Sequence, residues 1–152
     1  MEIKDSGCRR EFDTGAVRDI QEGKGRCDLI PLRIAALIMC GDKVIENIAW
    51  FKDTGETHHL YKAIHCFNRE YFENTETMLL EVAKHFEEGA KKYGENNWQK
   101  GLPPSCYIDS ALRHYLKFKR GDKDEPHDRA FVWNLMCCIW EVDYHANKNH
   151  QD

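Results

Sequence analysis

The chain has 152 residues, a net charge of −4 and 32% charged residues, enough length for one domain with its own core. The acidic balance excludes the basic field of a nucleic-acid binder, and no apolar run reaches the roughly 20 residues that span a bilayer. The polar start MEIKDSGCRREF lacks the apolar core of a signal peptide. Cys8, Cys27, Cys40, Cys66, Cys106, Cys137 and Cys138 are odd in number and form no Cys-x-x-Cys pair. They read as free thiols of a reducing cytosol, with Cys137 and Cys138 in the core.

In chain order, residues 1–31 hold little apolar material. Thr14-Gly15-Ala16-Val17-Arg18-Asp19 and Glu22-Gly23-Lys24-Gly25-Arg26 are rich in glycine and base. Glycines can turn backbone amides toward an anion, and Arg18, Lys24 and Arg26 add charge. The spacing is not that of a P-loop, so composition alone favours a flexible tail. Pro31 opens a short helix over 32–39, closed by Gly41-Asp42. Residues 44–51 fit either a helix turn or a short strand, and Asp53-Thr54-Gly55 is a turn. Over 58–67 a helix places Leu60, Ile64 and Phe67 on one side. His58, His59 and His65 read as surface histidines, since no carboxylate or cysteine completes a familiar metal site.

Three stronger helices follow. Over 77–93, Leu79, Ala83, Phe86, Ala90 and Tyr93 form one apolar stripe, and Gly94 stops the helix. This winding puts Glu87 on the shoulder of the stripe, facing a cleft, and Glu88 in water with Glu81, Lys84 and Lys92. From residue 105 or 107 to 119, Ile108, Ala111, Leu112, Tyr115 and Phe118 form a buried face, with His114 beside it. Asp109 and Arg113, four apart, are placed to pair. Asp124-Glu125-Pro126 opens the third helix, apolar on nearly every side from 130 to 142 and therefore central. His127, Asn134 and Glu141 recur along it at steps of seven, a polar seam that is either solvent-facing or functional. After Asp143 the chain reads as a frayed polar end.

Glu87, Asp124, Glu125 and Asp128 would make an oxygen cluster for a hard divalent cation if these helices pack side by side. Lys91, Lys92, Arg113 and His114 could then hold phosphate oxygens. Solvated helix faces and an ordinary cap account for the same residues. A second chemical reading starts from His127-Asp128 with His85 or His114 upstream and Asp143 downstream, an order similar to that of HD-type phosphohydrolases. Asp143 would lie about 22 Å along the same helix from Asp128, too far to share one ion unless the helix breaks.

The segments TGAVRDIQEGKGRCDLIP (14–31), LLEVAKHFEEGAKKYGENNWQKGLP (79–103), YIDSALRHYLKFKRGDKDEPHD (107–128) and FVWNL (131–135) resemble, in order, a phage and prophage family named for dATP/dGTP diphosphohydrolase, or pyrophosphohydrolase. Residues 41–76 stand as an insertion. The resemblance implies cleavage of a purine deoxynucleoside triphosphate to monophosphate and pyrophosphate. It also turns 14–31 from a tail into a motif segment. A wider likeness is to the MazG-type nucleoside triphosphate pyrophosphohydrolases, which hold Mg2+ or Mn2+ with E-E-x-x-E and E-x-x-D. Glu87-Glu88 fits the first motif only in part, since Lys91 takes the third place. Glu125 and Asp128 fit the second.

These likenesses imply one all-α domain over 1–152: a helical bundle of the all-α nucleoside triphosphate pyrophosphohydrolase kind, with a mostly irregular N-terminal segment. Its parts are the motif segment 1–31, an insertion of short helices over 32–76 and core helices over 77–145. The expected ligands of Mg2+ or Mn2+ are Glu87, Asp124, Glu125 and Asp128, with His127 or His114 carrying a proton. Lys24, Arg26, Lys92 and Arg113 are expected on phosphates, and Asn97 and Trp98 at the base. Trp98 serves equally well as plain core. The expected setting is a cytoplasmic homo-oligomer, in a bacterial host if phage-encoded. A helical module that binds a nucleotide or a protein partner without turnover is the competing class.

Overall fold

The computed structural model describes residues 2–145, so the end expected to fray lies, from residue 146 on, outside the described residues. The fold is all-α. A two-stranded hairpin, β1 (Arg9–Glu11) and β2 (Val17–Asp19), precedes α1 (Leu32–Ile38), α2 (Lys43–Thr54), α3 (His58–Tyr71), α4 (Thr75–Tyr93), α5 (Pro104–Arg120) and α6 (His127–Trp140). The last continues into one π-helical turn, Glu141–His145. The hairpin is antiparallel, Arg10 opposite Arg18. No helix among the described residues is long and apolar enough to cross a membrane.

The centre is α6. Ala130, Phe131, Val132, Leu135, Cys137, Cys138 and Ile139 are all buried, as expected of a helix apolar on most sides. Its most extensive partner is α5, and α4 packs on it as well. Phe67 of α3 reaches the same core, its ring 4.7 Å from Phe131 and 6.0 Å from Tyr115. The stretch 43–76 is therefore part of the core packing. Residues 44–51, open between helix and strand in the sequence, are helical. Val44, Ile45, Ile48 and Ala49 are buried at helical spacing, Asp42 accepts from the Ile45 N–H at 2.9 Å, and Gly55 ends the helix at φ +74°.

The polar seam of α6 is not solvent-facing: His127, Asn134 and Glu141 are all buried. The face of α4 also departs from expectation. Met78, Val82 and His85 are buried, whereas Leu79 is 47% and Leu80 68% exposed. Glu87 is exposed, and it is Glu88 that turns inward to pair with Arg129 of α6. The reason is electrostatic. Arg129 is buried, and a buried guanidinium is tolerable only beside a carboxylate. That demand outweighs the burial lost at Leu79 and Ala83. Glu88→Gln should cost about 2 kcal/mol, as losing a bond to a charged group does, lowering Tm by roughly 4–8 °C. Glu87→Gln should stay within about 0.5 kcal/mol. Equal melting of the two variants would contradict the orientation of α4.

Candidate active site

The N-terminal segment is held down by long-range bonds. The Asn97 amide, in a 3-10 turn after α4, pairs with both backbone groups of Val17, accepting at 2.8 Å and donating at 2.7 Å. It extends the hairpin as a strand would. Arg18 reaches between α5 and α6, donating to Ser110 Oγ (3.2 Å) and Asn134 Oδ1 (3.1 Å), its guanidinium near the rings of Tyr107 and Trp133. The buried Asn134 thus finds its partner in the segment that composition alone made a tail. Asp109 accepts from the Cys27 N–H at 2.6 Å and pairs with Arg113, which also donates to the Gly25 carbonyl at 2.7 Å. Thr14 donates to the Gly101 carbonyl at 2.5 Å.

Gly101 shows how tight this closure is. It sits at φ +113°, and a Cβ there would lie 2.8 Å from His145 Cε1 and 3.1 Å from Thr14 Cγ2. Gly101→Ala should therefore destabilise by about 2 kcal/mol, chiefly from backbone strain. A urea midpoint unchanged from the parent would contradict this.

The segment encloses a cavity of about 430 Å³ with α4, α5 and α6. Cations (Lys4, Arg10, Arg18, Lys24, Lys92, Arg113, Lys117) outnumber the carboxylates Asp5, Asp19, Asp109 and Glu125 in its wall. At one side stands a chain of short polar contacts. His114 Nδ1 and His127 Nδ1 are 2.9 Å apart, and His127 Nε2 is 2.7 Å from Asp124 Oδ1. Lys4 binds Asp124 through its ammonium at 2.7 Å, and its N–H donates to Glu125 Oε1 at 2.7 Å. Lys92 Nζ donates to the Lys4 carbonyl at 2.5 Å. His114, Glu125 and His127 can each turn one ligand atom within 4.8 Å of the others, as can Asp122, Asp124 and His127.

Electrostatics prepare these groups. Burial, then the neighbouring His127, pushes His114 well below the usual imidazole range, so it stays neutral at physiological pH. Hydrogen bonds from Lys4 and His127 hold the Asp124 carboxyl below the usual carboxylate range. When Asp124 accepts from the His127 Nε2–H, a neutral His127 accepts at Nδ1. His114 then carries its proton on Nδ1, and its Nε2 lone pair is left for a cation or a proton.

Of the residues expected from sequence, Lys24, Lys92, Asn97, Arg113, His114 and Glu125 line the cavity. His127 lies buried behind His114, and Asp124 stands beside it. Both functions of the Asn97 amide are taken up by Val17, and Arg113 is engaged with Asp109 and Gly25. Arg26 is outside the cavity wall, in a two-bond pair with Asp28. Trp98 packs edge-on against Phe86 and Trp140 and is likewise outside it. Asp128 accepts from the Arg129 N–H, and neither it nor Glu87 belongs to a ligand group among the described residues. Asp143 takes the Thr57 hydroxyl instead.

Sequence reasoning missed Lys4, Ser110 and Trp133 as cavity residues, named His85 only in the HD-type reading, and left Arg18 as one basic residue among three. The available signal was the polar seam, since Trp133 adjoins Asn134. It also missed Glu56, which lies within 3.7 Å of His58 and His59 on an exposed surface.

A family model described as dATP/dGTP diphosphohydrolase, N-terminal, matches residues 74–151. The chain belongs to this family. That is the family the motifs GAKKYG, NW, RH and DEPHD resemble, and the family's name is that of a nucleotide hydrolase. The match spans α4, α5 and α6, hence His85, Glu88, His114, Glu125, His127 and Trp133. The hairpin that closes the cavity precedes it. Neither the curated proteins nor the solved structures yield a match.

Proposed function

We propose that the chain hydrolyses purine deoxynucleoside triphosphates, dATP and dGTP, between the α- and β-phosphates in this cavity, with Mg2+ or Mn2+ held by the carboxylates Glu125, Asp122 and Asp124 beside His114 and His127. The observation that carries the reading is a cation-walled cavity with a carboxylate–histidine cluster at its side, in a chain of a diphosphohydrolase family. The donor set fits a divalent ion. Ionised carboxylate oxygens compete little with protons for it, and a cluster of oxygens suits either Mg2+ or Mn2+.

When bound, the ion supplies a Lewis acid that neutralises charge on the phosphates and the leaving pyrophosphate. Lys4, Lys24 and Lys92 hold the phosphate oxygens. His114 takes the proton of the attacking water at Nε2 while His127 and Asp124 fix its tautomer. The new bond joins that oxygen to the α-phosphorus, and the bond to the bridging oxygen of the β-phosphate breaks.

Incubation of the full chain with each dNTP and either metal, followed by chromatography, tests this reading. Monophosphate plus pyrophosphate is the expected result. Nucleoside plus triphosphate would instead support the HD-type reaction, and stabilisation by nucleotide without product a binding module.

The apolar side chains left outside support a homo-oligomer: Leu79 and Leu80 on α4, and Ile34, Leu37 and Ile38 on α1, are 47–77% exposed. A monomer by light scattering at working concentration would overturn this. Seven free thiols fit the cytoplasm as the setting.

A further inference from the structure

One end of the cavity is left chemically incomplete. Among the described residues, three buried polar atoms in its wall have no hydrogen-bond partner: Arg18 Nη1, His85 Nδ1 and Trp133 Nε1. They are neighbours. The His85 and Trp133 rings are 5.2 Å apart, and the Arg18 guanidinium lies 5.8 Å from the Trp133 ring. His85 is only 6% exposed, and a buried polar group without a partner is costly enough to call for an occupant.

The same wall contains Gly89, in mid-helix on α4, where an added Cβ would meet nothing within 4 Å. Glycine there weakens the helix and leaves space beside Trp133. Tyr93, Leu102 and Cys106 stand in the same wall, whereas Lys4 is held at the carboxylate cluster by Asp124 and Glu125.

We propose that Arg18, His85 and Trp133 form the base subsite of the cavity and select guanine over adenine. This rests on the cavity being a nucleotide site. Arg18 Nη1 and Trp133 Nε1 can only donate. Guanine presents two adjacent acceptors, O6 and N7, while adenine presents the N7 acceptor beside the N6 donor. Adenine therefore leaves one protein donor facing another donor. His85 is held neutral by burial, so its Nδ1 can donate or accept and adds no charge.

Calorimetric binding of dGMP, dAMP, 7-deaza-dGMP and 2-deoxyribose 5-phosphate to the full chain tests this without requiring turnover. The expected order is dGMP tighter than dAMP by on the order of 10- to 100-fold, the discrimination typical of a two-bond base contact. The 7-deaza analogue, which lacks the N7 acceptor, should fall toward dAMP. Trp133→Phe should bring dGMP and dAMP close to equal, and Gly89→Leu, which fills the space without touching a polar atom, should weaken both. Equal binding of dGMP and dAMP by the parent chain, or tighter binding of dAMP, would overturn the subsite. So would deoxyribose phosphate binding as tightly as dGMP, which would assign the three atoms to phosphate. Selective dGMP binding with no hydrolysis of dGTP sinks the hydrolase reading and leaves the subsite standing. Hydrolysis of dATP and dGTP with unselective binding does the reverse.

Discussion

Glu125→Gln should lower pyrophosphate release by at least about 100-fold, more than second-shell changes at metal sites typically cost, with the fold retained. Glu125 lines the cavity and shares a ligand group with His114 and His127, so the substitution removes a charged oxygen from the proposed cation. Its Oε1 accepts from the Lys4 N–H, and glutamine keeps that acceptor. Stability should therefore change by no more than about 0.5 kcal/mol, and relief of repulsion with Asp124 can even raise it. The apparent metal requirement should rise with the loss of rate. Steady-state kinetics across a Mn2+ titration, run beside thermal melting, separates the cases. Full activity in Glu125→Gln would remove the cluster from the mechanism.

Acid should destabilise the protein well before its carboxylates protonate. Burial pushes His85 down to about 3, helped by the charges of Arg129 on α6, Arg18 on β2 and Lys92 on its own helix. The folded state keeps His85 neutral, while the unfolded chain takes up a proton near the ordinary value of 6.5. The unfolded state thus binds the extra proton, and stability falls as pH drops from 6.5 toward 3. The slope is about 1.4 kcal/mol per pH unit for this residue. His114 acts in the same direction. Between pH 6.5 and 5, His85 alone should cost about 2 kcal/mol, or roughly 4–8 °C in Tm. Asp5 and Asp124, held below the usual carboxylate range, lose their contribution only as pH falls below their unfolded value near 3.8. They do not mask this window. His85→Gln should flatten the profile by its share, and melting curves at half-unit pH steps measure it. A Tm that stays level from pH 6.5 to 5 would contradict the burial of these histidines.

What the sequence made legible follows from the range of the interactions. The bodies of α5 and α6 were readable because caps, glycine stops and apolar spacing act within a few residues. The pair Asp109–Arg113 was readable for the same reason. The face of α4 was not. Met78 and Val82 form one apolar row and Leu79 and Ala83 the next, and the choice between them is made by Arg129, far along the chain from Glu88. The hairpin was hidden more completely. Its polar, glycine-rich sequence has no stripe of its own, and its hold comes from Asn97, Ser110 and Asn134 on other elements. At the candidate site, His114, Asp124, Glu125 and His127 could be named from motifs. That Arg26 turns to Asp28 and Trp98 into the core depends on neighbours that periodicity does not reveal. Trp133 carried no signal of chemistry and His85 only that of the HD-type order, and their place in the cavity wall became visible as buried atoms lacking partners.

The central claim is that the cavity under the hairpin receives the nucleotide, and the indole N–H signals of the chain's four tryptophans report on it directly. Trp133 lines the cavity, Trp98 and Trp140 pack together beyond its wall, and Trp50 lies on the far helix α2. With 15N-labelled full-length protein, and the Trp133 signal assigned by its loss in Trp133→Phe, dGMP or dAMP should shift the Trp133 resonance in a saturable way and leave that of Trp50 in place. A saturating shift at Trp50 with Trp133 unmoved would put the nucleotide somewhere else on the molecule and contradict the account.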